Sequence, residues 1–270
     1  MCRRHRLAVV AASVIVTLTA GLSAVAAAEV DPRLAPLLEQ MKAFIANPKP
    51  MFMRQKIDIA VNGQSQPEQL QEIWMRDMDH LRMERSDGTT VVLAPDDIKM
   101  YIGPARLLLH IPRETLETLG DKRGEALRML DLSLPRDQLD LLEEGWESMA
   151  ITGEDTVGDE ACWVLTVDEG FLPRLRALLG GIPEGFTLQM AQIALGRETG
   201  MSRALFFEFA GPAQLEIGVT IEEIEEDADV PDDMFTFEPP DDALILTWTP
   251  DKTPEQMRQK RDEAIAERMK

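Results

Sequence analysis

Apolar and polar residues alternate with period two along much of this chain. In Met51–Val61 the apolar side chains Met51, Met53, Ile57, Ile59 and Val61 stand on odd positions, with Arg54, Lys56 and Asp58 between them. That spacing predicts a strand with one apolar face, ended by the turn dipeptide Asn62-Gly63. A second strand is expected over 70–77, around Ile73, Trp74 and Met75. Residues 80–85 alternate Leu81 and Met83 with Arg82 and Glu84, and Asp87-Gly88 turns the chain into 90–93. Ile98, Met100 and Ile102 then alternate around Lys99 and Tyr101. Strands in such close succession predict a meander.

Helical spacing appears in three places. Leu34, Leu37, Leu38, Met41, Phe44 and Ile45 follow Asp31-Pro32 and stop at Asn47-Pro48. From Leu107 to Leu142 the chain is leucine-rich and interrupted by Gly120, Gly124 and Pro135. This predicts a helical insertion over about 107–145. Strands are expected over 146–152 and 161–167, then a short helix over 171–179. Two further strands, 186–195 and 202–209, flank the turn Arg197-Glu198-Thr199-Gly200, and 215–224 is another. An acidic loop, 225–233, precedes 234–237, and 243–248 is the last strand. Thr253 and Gln256 form a capping box with Pro254 at the first helical position, so 254–269 should be a helix. Its polar composition places it on solvent.

The sum is roughly ten antiparallel strands with a helical excursion, a mainly β chain of the α+β kind. Strands do not alternate with helices, which excludes a parallel α/β architecture. The expected fold is a single unclosed antiparallel β-barrel or strongly curved sheet, with helices covering its cavity. One domain, 29–250, and a C-terminal helix, 251–270, account for the chain after its leader.

That leader is residues 1–28. Arg3, Arg4 and Arg6 precede an almost unbroken apolar run, 7–18, and small residues end in Ala26-Ala27-Ala28. Basic, apolar and small-residue regions in that order predict a secretory signal cleaved after Ala28. The run is short for the roughly 20 residues of a spanning helix. No later segment is long and apolar enough to replace it, so the mature chain is expected in the periplasm and not as an integral membrane protein. Export argues against chemistry driven by ATP or nicotinamide cofactors. The chain carries a formal charge of −20, and loss of the three arginines leaves −23. Nucleic acid and anionic membrane surfaces would repel it. Cys162 alone remains after processing, so no intramolecular disulfide is possible. A lone cysteine with no histidine or basic residue beside it reads as a buried, inert thiol. Fifteen methionines stand against few aromatics. Flexible thioether side chains fill irregular cores and accept ligands of varied shape.

Catalytic chemistry is sparse. His80 and His110 are isolated, and neither belongs to a spaced pair that would hold zinc. There is no Gly-x-Ser-x-Gly elbow and no glycine-rich phosphate loop. The acidic stretch 222–233 lacks the glycine and terminal glutamate of an EF-hand and reads as a solvated loop. No catalytic residue, metal site or cofactor is assigned.

Some segments resemble a known family. Residues 73–82, reading Ile-Trp-Met-Arg-Asp-Met-Asp-His-Leu-Arg, are similar to the second and third strands of the periplasmic carriers that sort outer-membrane lipoproteins (LolA-like). Asp87-Gly88 with 91–93 resembles the next hairpin, and 194–203 a later strand–turn–strand. The most specific match is Met234-Phe235-Thr236-Phe237-Glu238-Pro239-Pro240, which resembles a Phe-Thr-Phe-x-Pro-Pro segment near the carriers' C-terminus. The resemblance implies an open antiparallel barrel around an apolar cavity, lidded by helices, that carries acyl chains. The family's gating arginine falls at Asp77, beside Arg76, so that role does not transfer. The insertion at 107–145 is larger than a simple lid.

The resulting expectation is a non-catalytic periplasmic carrier for a lipid or lipoprotein acyl chain. Its cavity would be lined by Met53, Ile57, Ile59, Trp74, Leu81, Met83, Met100 and Phe237. The alternative is a structural or sensory envelope module that docks another protein, with the C-terminal helix as a contact; an enzyme on the same scaffold is the third.

Overall fold

The computed structural model describes residues 32–120, 145–178, 182 and 185–269. The expected signal segment, 1–28, and most of the leucine-rich stretch, 121–144, lie outside the described residues. Among those described, thirteen strands form one sheet. They are β1 (Met51–Val61), β2 (Gln64–Ser65), β3 (Gln69–Asp77), β4 (His80–Arg85), β5 (Thr90–Leu93), β6 (Asp97–Ile102) and β7 (Leu107–Pro112), then β8 (Met149–Val157), β9 (Glu160–Val167), β10 (Thr187–Gly196), β11 (Ser202–Ala210), β12 (Leu215–Glu226) and β13 (Leu244–Thr247). Their order across the sheet is β13-β7-β6-β5-β4-β3-β1-β12-β11-β10-β9-β8, with β2 a short flap on β1. Among the described residues β13 and β8 each pair on one side only, so the sheet is unclosed.

Local chemistry explains the hairpins. Asn62 and Gly63 both take positive φ, 53° and 72°, the backbone that a two-residue turn between right-twisted strands demands. Asn62 Oδ1 also accepts the Gln214 N–H at 2.9 Å, tying this turn to the start of β12. Gly103 answers a different need. A Cβ there would lie 2.6 Å from the Gly88 backbone, so only glycine lets the 85–90 hairpin close against the end of β6.

The two wings of the sheet share one core. Ile57, Ile73, Leu93, Met100 and Leu109 join Leu165, Ile193, Phe207 and Val219 in a single buried cluster. These strands follow one another in the sheet order, so the cluster runs from strand to strand along one buried face. Register breaks at Arg54/Gln55, Met75/Asp77 and Ile151/Gly153 supply local bends. Helix α1 (Leu34–Ala46) contributes Leu34 and Leu37 to the cluster, and α3 (Leu172–Leu178) contributes Leu172 and Leu175. At the other wing, α2 (Arg113–Leu119) inserts Leu116 and α4 (Pro254–Arg268) inserts Met257 and Ala264. No helix among the described residues is long and apolar enough to cross a membrane.

Three expectations need correction. Leu107–Pro112, read as the start of a helical insertion, is a strand, and helix begins only at Arg113. Its continuous apolar run fits either structure by periodicity, and full pairing with β6 decides the matter. The sheet is also not wholly antiparallel, because β13 runs parallel to β7 with Leu244 opposite Leu107. Finally, α4 is capped as expected, with Gln256 N–H on Thr253 Oγ1 and Thr253 N–H on Gln256 Oε1, yet it is not simply solvated. Met257, Arg261 and Ala264 form a buried stripe, and Arg268 Nε donates to the Ala105 carbonyl at 2.7 Å. Trp248 secures the same corner: its N–H donates to His110 O, its carbonyl accepts from Thr115 Oγ1 and its indole donates to Lys252 O.

Candidate ligand-binding face

Strand register separates two chemically different faces. On the inner face, rows of side chains run across β1, β3, β4, β5 and β6. One row is Met53–Ile73–Met83–Val91–Met100, each directly opposite the next. On the outer face the same strands carry Arg54 paired with Glu72 and Glu223, Lys56 paired with Glu68, and Lys99 paired with Asp97. The alternation of β1 is therefore expressed as an apolar interior and an ion-paired, wetted exterior.

Six of the eight side chains singled out from the sequence share the inner face: Met53, Ile57, Ile59, Leu81, Met83 and Met100. Ile57 is fully buried, whereas Met53 and Met83 are only half-buried although both pack against the core. Around these two thioethers the inner face is less covered than at their buried neighbours Met51, Ile73, Met75 and Leu81.

Trp74 and Phe237 lie elsewhere. Trp74 alternates with Ile73 and Met75, so it emerges on the outer face, where it packs against Phe52 with ring centroids 5.4 Å apart. Phe237 stacks on Tyr101 at 5.5 Å, and Tyr101 alternates with the inner Met100. Phe237 belongs to a strap, residues 229–240, that leaves β12 and crosses the outer face. Arg82 Nη1 donates to the Met234 and Thr236 carbonyls at 2.9 and 3.0 Å. Phe235 is buried, edge-on to His80 at 5.3 Å, with the Arg76 guanidinium 5.1 Å from its ring centroid. Pro231, Pro239 and Pro240 were the available signal, since they bar this segment from a sheet interior.

The histidines serve the same outer surface. His80 Nδ1 lies 2.8 Å from Asp77 Oδ1, and His110 Nε2 lies 3.3 Å from Asp97. Burial works to raise the Asp77 pKa, but the bonds from His80 and the Asp79 N–H, with the Arg76 charge, outweigh it and hold the carboxyl below its usual range. Cys162 is fully buried, and burial pushes its thiol pKa up. Among the described residues, no group of three or more His, Cys, Asp or Glu side chains gathers where it could hold a metal ion.

One inner row is not apolar. Gln55, Gln71 and Arg85 stand directly opposite one another on β1, β3 and β4. They are 3%, 0% and 6% exposed. Arg85 Nη2 donates to Asp87 at 2.6 Å and to Gln69 Oε1 at 3.0 Å. Burial lowers the Arg85 pKa, and the Asp87 charge opposes that shift. Gln55 Nε2 reaches only the Met53 sulfur, at 2.8 Å. The sequence carries one trace of this row: Gln55 interrupts the apolar phase Met51, Met53, Ile57, Ile59 of β1, whereas Gln71 follows Gln69 on its own face and Arg85 ends β4.

No protein-family model matches the sequence, and no curated protein matches it. Solved structures with a similar course of chain include an uncharacterized conserved protein from Thermus thermophilus, at 10% identity and a TM-score of 0.46, covering 79% of this chain and 99% of that one. Another is MucB in the MucA/MucB complex of Pseudomonas aeruginosa, at 15% identity and a TM-score of 0.39; the match covers 76% of this chain and 62% of MucB. A LolA superfamily protein from Nitrosomonas europaea is similar at 10% identity and a TM-score of 0.33, over 75% of this chain and 96% of that one.

Proposed function

We propose that this chain is a non-catalytic periplasmic carrier that holds a lipid or lipoprotein acyl chain against the inner face of its open sheet. The supporting observation is the half-buried pair Met53 and Met83, with buried Ile73 between them, flanked on the inner face by buried Met51, Met75 and Leu81 on one side and by the polar row Gln55–Gln71–Arg85 on the other. Two flexible apolar side chains left partly exposed on this face offer contact surface to an apolar ligand. An acyl chain gains about 0.8 kcal/mol per buried methylene, so a face of this kind is sufficient to take one from water. The reading needs no reactive group, and the two described histidines are turned to the outer face beside aspartates.

The test is extraction and mass spectrometry of lipid from protein purified natively out of the periplasm, with a Met83→Glu variant beside it. Wild type should carry acyl species. The variant should stay folded, because its carboxylate can reach solvent, and should be empty. A wild-type protein without acyl species that also fails to bind an apolar fluorophore would rule the carrier out. A docking role is the second reading, favoured by Leu244 and Ile245, which are 39% and 53% exposed on the edge strand β13.

A further inference from the structure

We propose that the row Gln55–Gln71–Arg85 is a head-group site that takes the neutral amide of an acylated amine, with the attached chain lying over Met53, Ile73 and Met83. The assignment rests on the carrier reading above and makes it chemically specific. Four polar atoms of this row have no hydrogen-bond partner: Gln55 Oε1, Gln71 Oε1, Gln71 Nε2 and Arg85 Nε. Buried polar groups in native proteins are nearly always partnered, and each orphan costs about 1–3 kcal/mol. A protein that places three such side chains in register on the buried face of its sheet has a use for them. Rotating the Gln71 amide by 180° exchanges its donor and acceptor and still leaves both unpartnered.

The set of free groups selects the ligand. Two are donors, Gln71 Nε2 and Arg85 Nε; two are acceptors, the Gln55 and Gln71 carbonyl oxygens. An amide matches both kinds, because its C=O accepts and its N–H donates. A carboxylate offers acceptors only, and it would bring the Gln55 and Gln71 oxygens against its own. Its charge is also unwelcome. The Arg85 guanidinium is already neutralised by Asp87 at 2.6 Å, so a carboxylate would add an unpaired negative charge to a dry site in a chain of formal charge −20. An ester fills the donors and leaves both acceptors orphaned.

The neighbourhood supplies the rest. Met53, Ile73 and Met83 are two residues along each of the same strands, about 6.7 Å away on the same face. A head group in the polar row therefore directs its chain onto the half-buried thioether patch. The 85–90 hairpin that carries Asp87 is held by the close contact of Gly103 with Gly88, and Arg85 N–H donates to Thr89 O at 2.9 Å, so the Arg85 end of the row is held in place before any ligand arrives.

The experiment measures displacement of the neutral fluorophore N-phenyl-1-naphthylamine by lauramide, laurate and methyl laurate, on wild type and on Gln71→Leu. Wild type should release the fluorophore at about tenfold lower lauramide than laurate or methyl laurate. Gln71→Leu should bind the fluorophore as before, lose that preference, and melt no lower than wild type, because the change removes two orphans. Gln55→Leu serves the same comparison should Gln71→Leu not fold. Equal displacement by all three ligands, a preference for laurate, or a lauramide preference that survives the substitution overturns the head-group site while leaving the carrier intact. Failure of wild type to bind the fluorophore overturns the carrier reading, and this site with it.

Discussion

Removal of the Phe235 ring should loosen the outer strap without dissolving the sheet. Phe235 is 6% exposed. A buried phenylalanine removes some 150–250 Å² from water, which at about 25 cal/mol/Å² is roughly 4–6 kcal/mol gross. The edge-to-face contact with His80 and the Arg76 guanidinium above the ring add about 1 kcal/mol together. Phe235→Ala does not forfeit all of this. The strap is a surface segment, and if it lifts away it recovers backbone entropy, so the loss is capped at the free energy with which the strap docks. The two Arg82 bonds to Met234 and Thr236 survive the substitution and resist that release. The net cost should be about 2–4 kcal/mol, a large share of the 5–15 kcal/mol that folded domains possess. With a urea slope of about 2 kcal/mol/M, the midpoint measured by far-ultraviolet circular dichroism should fall by roughly 1–2 M at an unchanged slope. Phe237→Ala, at a half-buried ring, should move it by less than half as much. Hydrogen exchange should quicken at the Thr236 amide, which donates to Asp233 O at 3.1 Å, and not at β1 or β12. A midpoint shift below about 0.25 M for Phe235→Ala, or an equal shift for Phe237→Ala, would refute the account of the strap as a docked element anchored by Phe235.

Three further outcomes are expected. Thr253→Ala removes the side-chain acceptor of the capping box and should cost about 1 kcal/mol, read as a lower urea midpoint, while Thr253→Ser should be nearly neutral. Cys162 should react with an aromatic disulfide about 100-fold more slowly in native protein than in urea, since burial excludes the reagent and raises the thiol pKa; equal rates would mean that β9 is open. The Asp77 carboxyl sits below its ordinary 3.8, so its contribution is present above that pH and is lost as the pH falls through the lower folded value. Asp77→Asn should flatten the acid limb of stability measured between pH 5 and 2, and an unchanged limb would exclude Asp77 as a contributor.

The period-two pattern was enough to establish that Met53, Ile57, Ile59, Leu81, Met83 and Met100 belong to apolar phases of successive strands, and that such strands form a mainly β sheet. A strand has only two faces, so its own sequence determines which residues travel together. Periodicity does not tell a buried strand from a helix where apolar residues run unbroken, as in Leu107–Pro112, whose pairing with β6 and β13 is a long-range fact. Nor does local pattern say which face of an aromatic-bearing strand will be covered. Trp74 reads as core by its chemistry and stands outside by its parity, and Phe237 reaches Tyr101 across more than a hundred residues of chain. The polar row shows the division most clearly. That Gln55 breaks the apolar phase of β1, and that Gln71 and Arg85 share the parity of Ile73 and Met83, is written in the sequence. That the three fall side by side, buried and with polar atoms left unpartnered, depends on the registers of β1 against β3 and of β3 against β4, which are set by turns and packing that no single strand contains.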